Sequence, residues 1–252
     1  MILKFTLFMP QLQESRRIHM YIPDDYASQK KKYPVLYMFD GHNLFEDQEA
    51  TFGQSWKLAE KIESLGLDLI VVGQECSHEG NRRIEEYAPY PFYDPYTQES
   101  FEALADYTMD FFINTLKPYI DSRFPTLSDQ QHTWIGGSSC GGSIALYAAL
   151  HYSHIYSKAL VISSFLTPFY HAFLKEAQEM SCRKNLSIYF SWGALEHEEH
   201  DFIQETKMIS EIANTLINKK IHIQFNVKPK GGHSENDWSE EAPQFLSFLT
   251  QI

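Results

Sequence analysis

Residues 132–150 limit what this chain can fold into more tightly than any other stretch. A short β-prone run, Thr133 to Ile135, enters a knot of small residues, and an alanine-rich run leaves it with helical character. Inside the knot, Gly137-Ser138-Ser139-Cys140-Gly141 fits G-x-S-x-G with Ser139 at its centre. Between a strand and a helix that pattern is a nucleophile elbow, a turn so sharp that its serine is strained and its neighbours cannot carry side chains. Gly137, Gly141 and Gly142 meet the steric demand. The turn holds the Ser139 hydroxyl clear of the sheet and points the backbone N–H of Cys140 to a helix N-terminus, where developing negative charge is stabilised.

Around the elbow the apolar pattern alternates between strands and helices. Residues 2–8 and 16–22 read as an antiparallel pair of strands. The apolar runs at 33–39 and 69–73 read as buried strands, and 158–164, 186–193 and the alternating run at 221–227 read as further strands. Helical spacing covers 54–65, a long segment capped by Ser100, and then 168–180, 200–218 and 238–249. The alternation implies an α/β fold with a mostly parallel central sheet of about eight strands and helices on both faces. At 252 residues and 43% hydrophobic content, one domain spanning 1–252 is expected. Residues 74–98 read as a long irregular loop, and loops of that length are usually functional. Its aromatic residues, with Tyr87, Tyr90 and Phe92 foremost, are candidates for a wall of a substrate pocket. Arg83 and Glu86 within it read as a structural ion pair.

A serine hydroxyl is a weak nucleophile at neutral pH and needs a base, and the base needs a third group to fix its tautomer. Both follow late strands. Glu196 comes after the strand ending at Gly193, and His233 after the strand ending at Val227, giving the order serine, acid, histidine. Glu198, Glu199 and Asp201 share the loop of Glu196 and compete for its role. His222 competes with His233 but falls inside an alternating strand; His151 and His154 read as surface residues. The glycine after the strand at 33–39, Gly41, lets the chain turn with its amides facing a ligand, which makes the His42 N–H the candidate for a second oxyanion donor beside that of Cys140. His197-Glu198-Glu199-His200 does not match H-E-x-x-H and no C-x-x-C occurs, so no metal site is expected.

These motifs together resemble the putative-esterase family of the α/β-hydrolase superfamily, which includes siderophore esterases, feruloyl esterases and mycolyltransferases. The resemblance rests on Pro34 to Phe45, Arg83 to Pro89, Leu116 to Phe124, the elbow from Ile135 to Gly142, Gly193 to Glu196, and His233 with Trp238 five residues on. It implies Ser139 as nucleophile, Glu196 as acid, His233 as base and the N–H groups of His42 and Cys140 as oxyanion donors. It adds Trp238 to the substrate-binding candidates, and Cys140 departs from the methionine common at that position. The implied activity is carboxylic-ester hydrolysis through an acyl-enzyme, with no cofactor. The ester is expected to be a siderophore, hydroxycinnamoyl or short-chain acyl ester. Acyl transfer by the same residues, or a silent binding module on the same fold, are the alternatives.

The formal net charge of −12 argues against nucleic acid as a partner, since no stretch gathers enough lysine and arginine to offset it. Residues 1–10 lack the layout of a secretory signal, and no apolar stretch is long enough to span a bilayer. Cys76, Cys140 and Cys182 are odd in number and lack paired spacing, as expected in a reducing compartment. A soluble cytoplasmic protein acting on a small-molecule ester, with no membrane partner, follows as the expectation. Its oligomeric state is not legible here.

Overall fold

The computed structural model describes residues 1–28, 30–182, 185–196 and 202–250. Eight strands form one sheet: β1 (Ile2–Met9), β2 (Glu14–Tyr21), β3 (Val35–Phe39), β4 (Ile70–Gln74), β7 (Thr133–Ser138), β8 (Lys158–Ile162), β9 (Ser187–Gly193) and β10 (His222–Lys228). The spatial order is β1-β2-β4-β3-β7-β8-β9-β10. β1 and β2 pair antiparallel with Ile2 opposite Tyr21, and β2 is antiparallel to β4. Every pairing from β4 to β10 is parallel. With that direction shared, the loops after β3, β4, β7, β8, β9 and β10 gather along one rim, where open α/β sheets place their ligands.

The apolar runs at the centre of the sheet are continuous because both faces are covered, and side chains alternate between two cores. Val35, Tyr37 and Phe39 of β3 face one core, together with Ile135, Val161 and Phe190. Leu36, Met38, Val71, Leu160 and Tyr189 face the other. The second core is closed by α1 (Leu58–Ser64) and α8 (Glu235–Thr250), through residues such as Ile62, Phe245 and Leu249. The first is closed by α3 (Ala105–Phe111), α4 (Lys117–Arg123), α5 (Cys140–His151), α6 (Tyr170–Glu179) and α7 (Phe202–Asn218).

Three expectations change. The helix expected over 54–65 begins only at Leu58, because Lys57 sits at φ 53° and the preceding amides are committed elsewhere: Ser55 donates to Asp47 Oδ1 at 2.9 Å and Trp56 to the Asn43 carbonyl at 2.8 Å. Ser100 does not cap a helix. It lies in β6 (Glu99–Phe101), which pairs with β5 (Phe92–Asp94) in a hairpin fastened by stacked Phe92 and Phe101 rings 4.8 Å apart. The helix starts at Ala105 and carries a π turn over Phe112–Leu116, which keeps Phe111, Phe112 and Leu116 buried together. The segment expected to be irregular also contains α2 (Arg82–Tyr87), whose single turn and a half is too short to show apolar periodicity.

Phe190 of β9 has no exposed surface. Truncating it to alanine is expected to cost about 3–5 kcal/mol, from lost transfer energy and the cavity left behind. Denaturant unfolding measures this, and a loss under about 1 kcal/mol would contradict the packing described.

Candidate active site

Strand β7 runs straight into Ser139, whose backbone stands at φ 57° and ψ −126° before α5 begins. A side chain at that φ is strained and persists only where surrounding structure holds it. Here the Ser139 N–H donates to the Ile162 carbonyl at 3.0 Å, and its own carbonyl accepts from Gly142 at 3.0 Å, Ser143 at 3.2 Å and Phe165 at 3.1 Å. The turn closes so tightly that a Cβ on Gly137 would stand 2.7 Å from the Gly141 carbonyl oxygen. Cys140 is the first residue of α5, so its N–H is one of the amides a helix leaves without an internal acceptor.

The acid and the histidine arrive on neighbouring loops. Ala194 donates to the Lys228 carbonyl and Leu195 to the Gly231 carbonyl, both at 2.9 Å, lacing the end of β9 to the end of β10. The Glu196 side chain is 1% exposed. Its Oε1 accepts from the Ser163 hydroxyl at 2.7 Å and from the Gly193 N–H, and its Oε2 lies 3.3 Å from His233 Nδ1. One carboxylate oxygen is pinned by fixed donors while the other faces the imidazole, an arrangement that fixes the ring's tautomer. The His233 side chain is 32% exposed and stands edge-on to Trp238, 5.2 Å between ring centres.

Ser163 was not singled out from sequence, yet it joins these parts. It follows β8 at φ 43°, directly after the residue whose carbonyl accepts from Ser139. Its hydroxyl donates to Glu196 and accepts from the Trp238 indole N–H at 2.9 Å. A serine at the end of a buried strand beside the elbow strand was the available signal.

The turn after β3 corrects a second reading. The left-handed residue is Asp40, at φ 56°, rather than Gly41. Gly41 is needed for space, since a Cβ there would stand 2.4 Å from the Gly73 carbonyl oxygen of β4. His42 follows in a short 3-10 turn, Gly41–Asn43. Asp40 is clamped by Arg83 through two parallel hydrogen bonds, Nε to Oδ1 at 2.8 Å and Nη2 to Oδ2 at 2.7 Å. Burial opposes the Asp40 charge, but the guanidinium outweighs it and holds the carboxyl below its usual range. Arg83 and Glu86 therefore do not pair with each other. Glu86 takes Arg16 and the Ser77 N–H instead.

The substrate-binding candidates divide by exposure. Tyr87 is fully buried; its hydroxyl accepts from the Asp40 N–H at 3.2 Å and donates to Gln74 at 3.3 Å, so it supports the turn from below. Trp238 is buried against Trp56 and supports Ser163. Tyr90 and Phe92 are half-buried. Tyr90 donates to Glu176, and Phe92 packs on Phe101, Phe165 and Phe169. Phe165 is the residue whose N–H reaches Ser139, so this aromatic cluster borders the elbow.

The competitors lie elsewhere. His222 is exposed at the start of β10 and stacks on Phe248. His151 lies against Tyr147 and Glu176, and His154 is exposed. Glu198, Glu199 and Asp201, with His197 and His200, fall outside the described residues.

Glu205 of α7 is buried, and burial together with the nearby Glu196 charge pushes its carboxyl up from 4.5 to about 8. The folded state thus binds a proton that the unfolded chain has released, and stability contributed below pH 4.5 is lost as pH rises toward 8. Glu205→Gln is expected to flatten the fall in unfolding midpoint between pH 5 and pH 8. Parallel curves for variant and parent would contradict it.

Comparison with known proteins places the chain. The family described as Putative esterase matches residues 10–249. The uncharacterized protein YbbA of Bacillus subtilis is 26% identical over 199 residues, covering 75% of this chain and 72% of that one. Among solved structures, an IroE-like serine hydrolase from Shewanella oneidensis superposes with a TM-score of 0.79 at 18% identity, covering 98% of this chain and 80% of that one. The enterobactin esterase FES from Shigella flexneri superposes at 0.72 with 19% identity, covering 99% of this chain and 59% of that one. At such identities the structural likeness shows the α/β-hydrolase fold alone. Among the described residues no helix is long and apolar enough to cross a membrane.

Proposed function

Because the chain belongs to the putative-esterase family and is thereby a carboxylic-ester hydrolase, we propose that it works through a Ser139, His233 and Glu196 triad and an acyl-enzyme. The observation that carries this reading is the Glu196 carboxylate, buried, pinned at Oε1 and turned with Oε2 to His233 Nδ1. Nδ1 is thereby the protonated nitrogen, and Nε2 is the base that takes the Ser139 proton as the hydroxyl attacks the ester carbonyl. The imidazolium so formed is stabilised by Glu196. The oxyanion accepts from the N–H groups of His42 and Cys140. The alcohol leaves with the proton from Nε2, and water then attacks the acyl-enzyme by the same route in reverse.

The aromatic cluster of Phe92, Phe165 and Phe169 beside the elbow supports an ester with an aromatic component. The enterobactin esterase that shares the fold supports the same choice. Phe92 and Phe165 of this cluster, with Tyr90 beside it, keep accessible surface, whereas Phe169 is buried. Cys76, Cys140 and Cys182 are free thiols, which supports work in the reducing cytoplasm.

Ser139→Ala is expected to lower kcat/KM for a p-nitrophenyl ester by roughly 10⁴-fold or more with the unfolding midpoint retained. Turnover within about tenfold of the parent would sink the assignment. Ser163→Ala is expected to lower kcat about tenfold at unchanged KM, because it removes one donor from Glu196 and leaves the Trp238 N–H without its acceptor. A change confined to KM would assign Ser163 to substrate binding instead.

A further inference from the structure

Strands β3 and β4 are parallel neighbours with Phe39 opposite Gln74, so the chain just beyond each emerges side by side. His42 comes from one strand end, and Cys76 and His78 come from the other. One ligand atom from each of these three residues lies within 4.8 Å of the other two. The rings of His42 and His78 meet edge to face with centroids 4.8 Å apart.

The hydrogen bonds around the cluster take up the same nitrogen, Nε2, of both rings. His42 is 4% exposed. Its Nε2 is taken by the Thr51 hydroxyl at 2.9 Å, and its Nδ1 is buried with no hydrogen-bond partner among the described residues. A buried imidazole nitrogen without a partner is costly to the fold, and a ligand there would recover that cost. His78 Nε2 is taken by Glu75 Oε1 at 2.9 Å, which leaves Nδ1 for coordination, and Glu75 is itself fixed through Oε2 to His19 at 2.6 Å. A carboxylate holding the far nitrogen of a ligand histidine is the usual outer support of a metal site.

We propose that His42, Cys76 and His78 form a binding site for a single zinc-type divalent ion, held by His42 Nδ1, Cys76 Sγ and His78 Nδ1. Two imidazoles and a thiolate select zinc over magnesium or calcium, which require oxygen ligands. Ordinary zinc–sulfur and zinc–nitrogen lengths set neighbouring ligand atoms roughly 3.3–3.8 Å apart, so the cluster closes by about 1 Å on binding. His78, with a side chain 57% exposed, can supply that movement and the entry path. Binding releases the Cys76 thiol proton to solvent, and the fourth position falls to water. The ion grips the residue whose N–H is the proposed oxyanion donor. That consequence rests on the esterase mechanism above, whereas the binding itself does not.

The test is calorimetric titration of the chelator-treated full chain with Zn²⁺, with Co²⁺ absorption as a second readout. One ion per chain is expected, with affinity reduced at least tenfold in His78→Ala and Cys76→Ser. A thiolate-to-cobalt charge-transfer band is expected in the parent and absent in Cys76→Ser. His78 is exposed, so its truncation leaves the core intact if the cysteine variant fails to fold. A His197→Ala, His200→Ala double variant is expected to bind as the parent does. No stoichiometric binding, affinity unchanged by loss of His78, or a Co²⁺ spectrum lacking the thiolate band would overturn the site.

Discussion

Holding Ser139 at φ 57° and ψ −126° costs on the order of 1–3 kcal/mol, and the sheet around it is arranged so that the residue cannot relax. Its amide is tied to the end of β8, its carbonyl to the first turn of α5 and to Phe165, and the glycines flanking it leave no room for another path. The two-sided core makes this possible. A parallel strand buried on both faces has no solvent side toward which the turn can open, so packing of α5 against β7 and β8 sustains the strain.

From that fixed point the site extends through hydrogen bonds rather than through chain continuity. Ile162 accepts from Ser139, the next residue donates to Glu196, and Glu196 faces His233. Trp238 enters the same chain through its indole N–H and by its edge contact with the histidine. On the other side, the Asp40 carboxylate clamped by Arg83 lies 3.3 Å from where a Gly141 Cβ would stand, so the turn after β3 is docked on the elbow helix. Each loop carrying a candidate group is thus held by a neighbouring loop, which limits how far any one can drift.

The sequence made the sheet legible because its strands are continuous apolar runs ended by small or charged residues, and helix α7 because its apolar face repeats regularly. The candidate positions Ser139, Glu196 and His233 could be picked out because each lies in the turn or loop that follows a strand. What escaped was long-range or short. The β5–β6 hairpin has three-residue strands, and Lys57 in a left-handed conformation shortens α1. The pairing of Arg83 with Asp40 rather than Glu86 depends on which loop packs above β3, and no local pattern encodes that. Ser163 and the His42, Cys76 and His78 cluster depend on strand adjacency, so searches for contiguous motifs such as C-x-x-C or H-E-x-x-H pass over them.

The central claim is that Ser139 is a nucleophile facing two backbone donors and one imidazole. The most direct measurement is a crystal structure of the chain after reaction with a fluorophosphonate. The account predicts a covalent bond from Ser139 Oγ to phosphorus, a phosphoryl oxygen within hydrogen-bond distance of the His42 and Cys140 N–H groups, and His233 Nε2 turned toward the adduct. An unmodified Ser139, or an adduct whose phosphoryl oxygen points away from both amides, would contradict it.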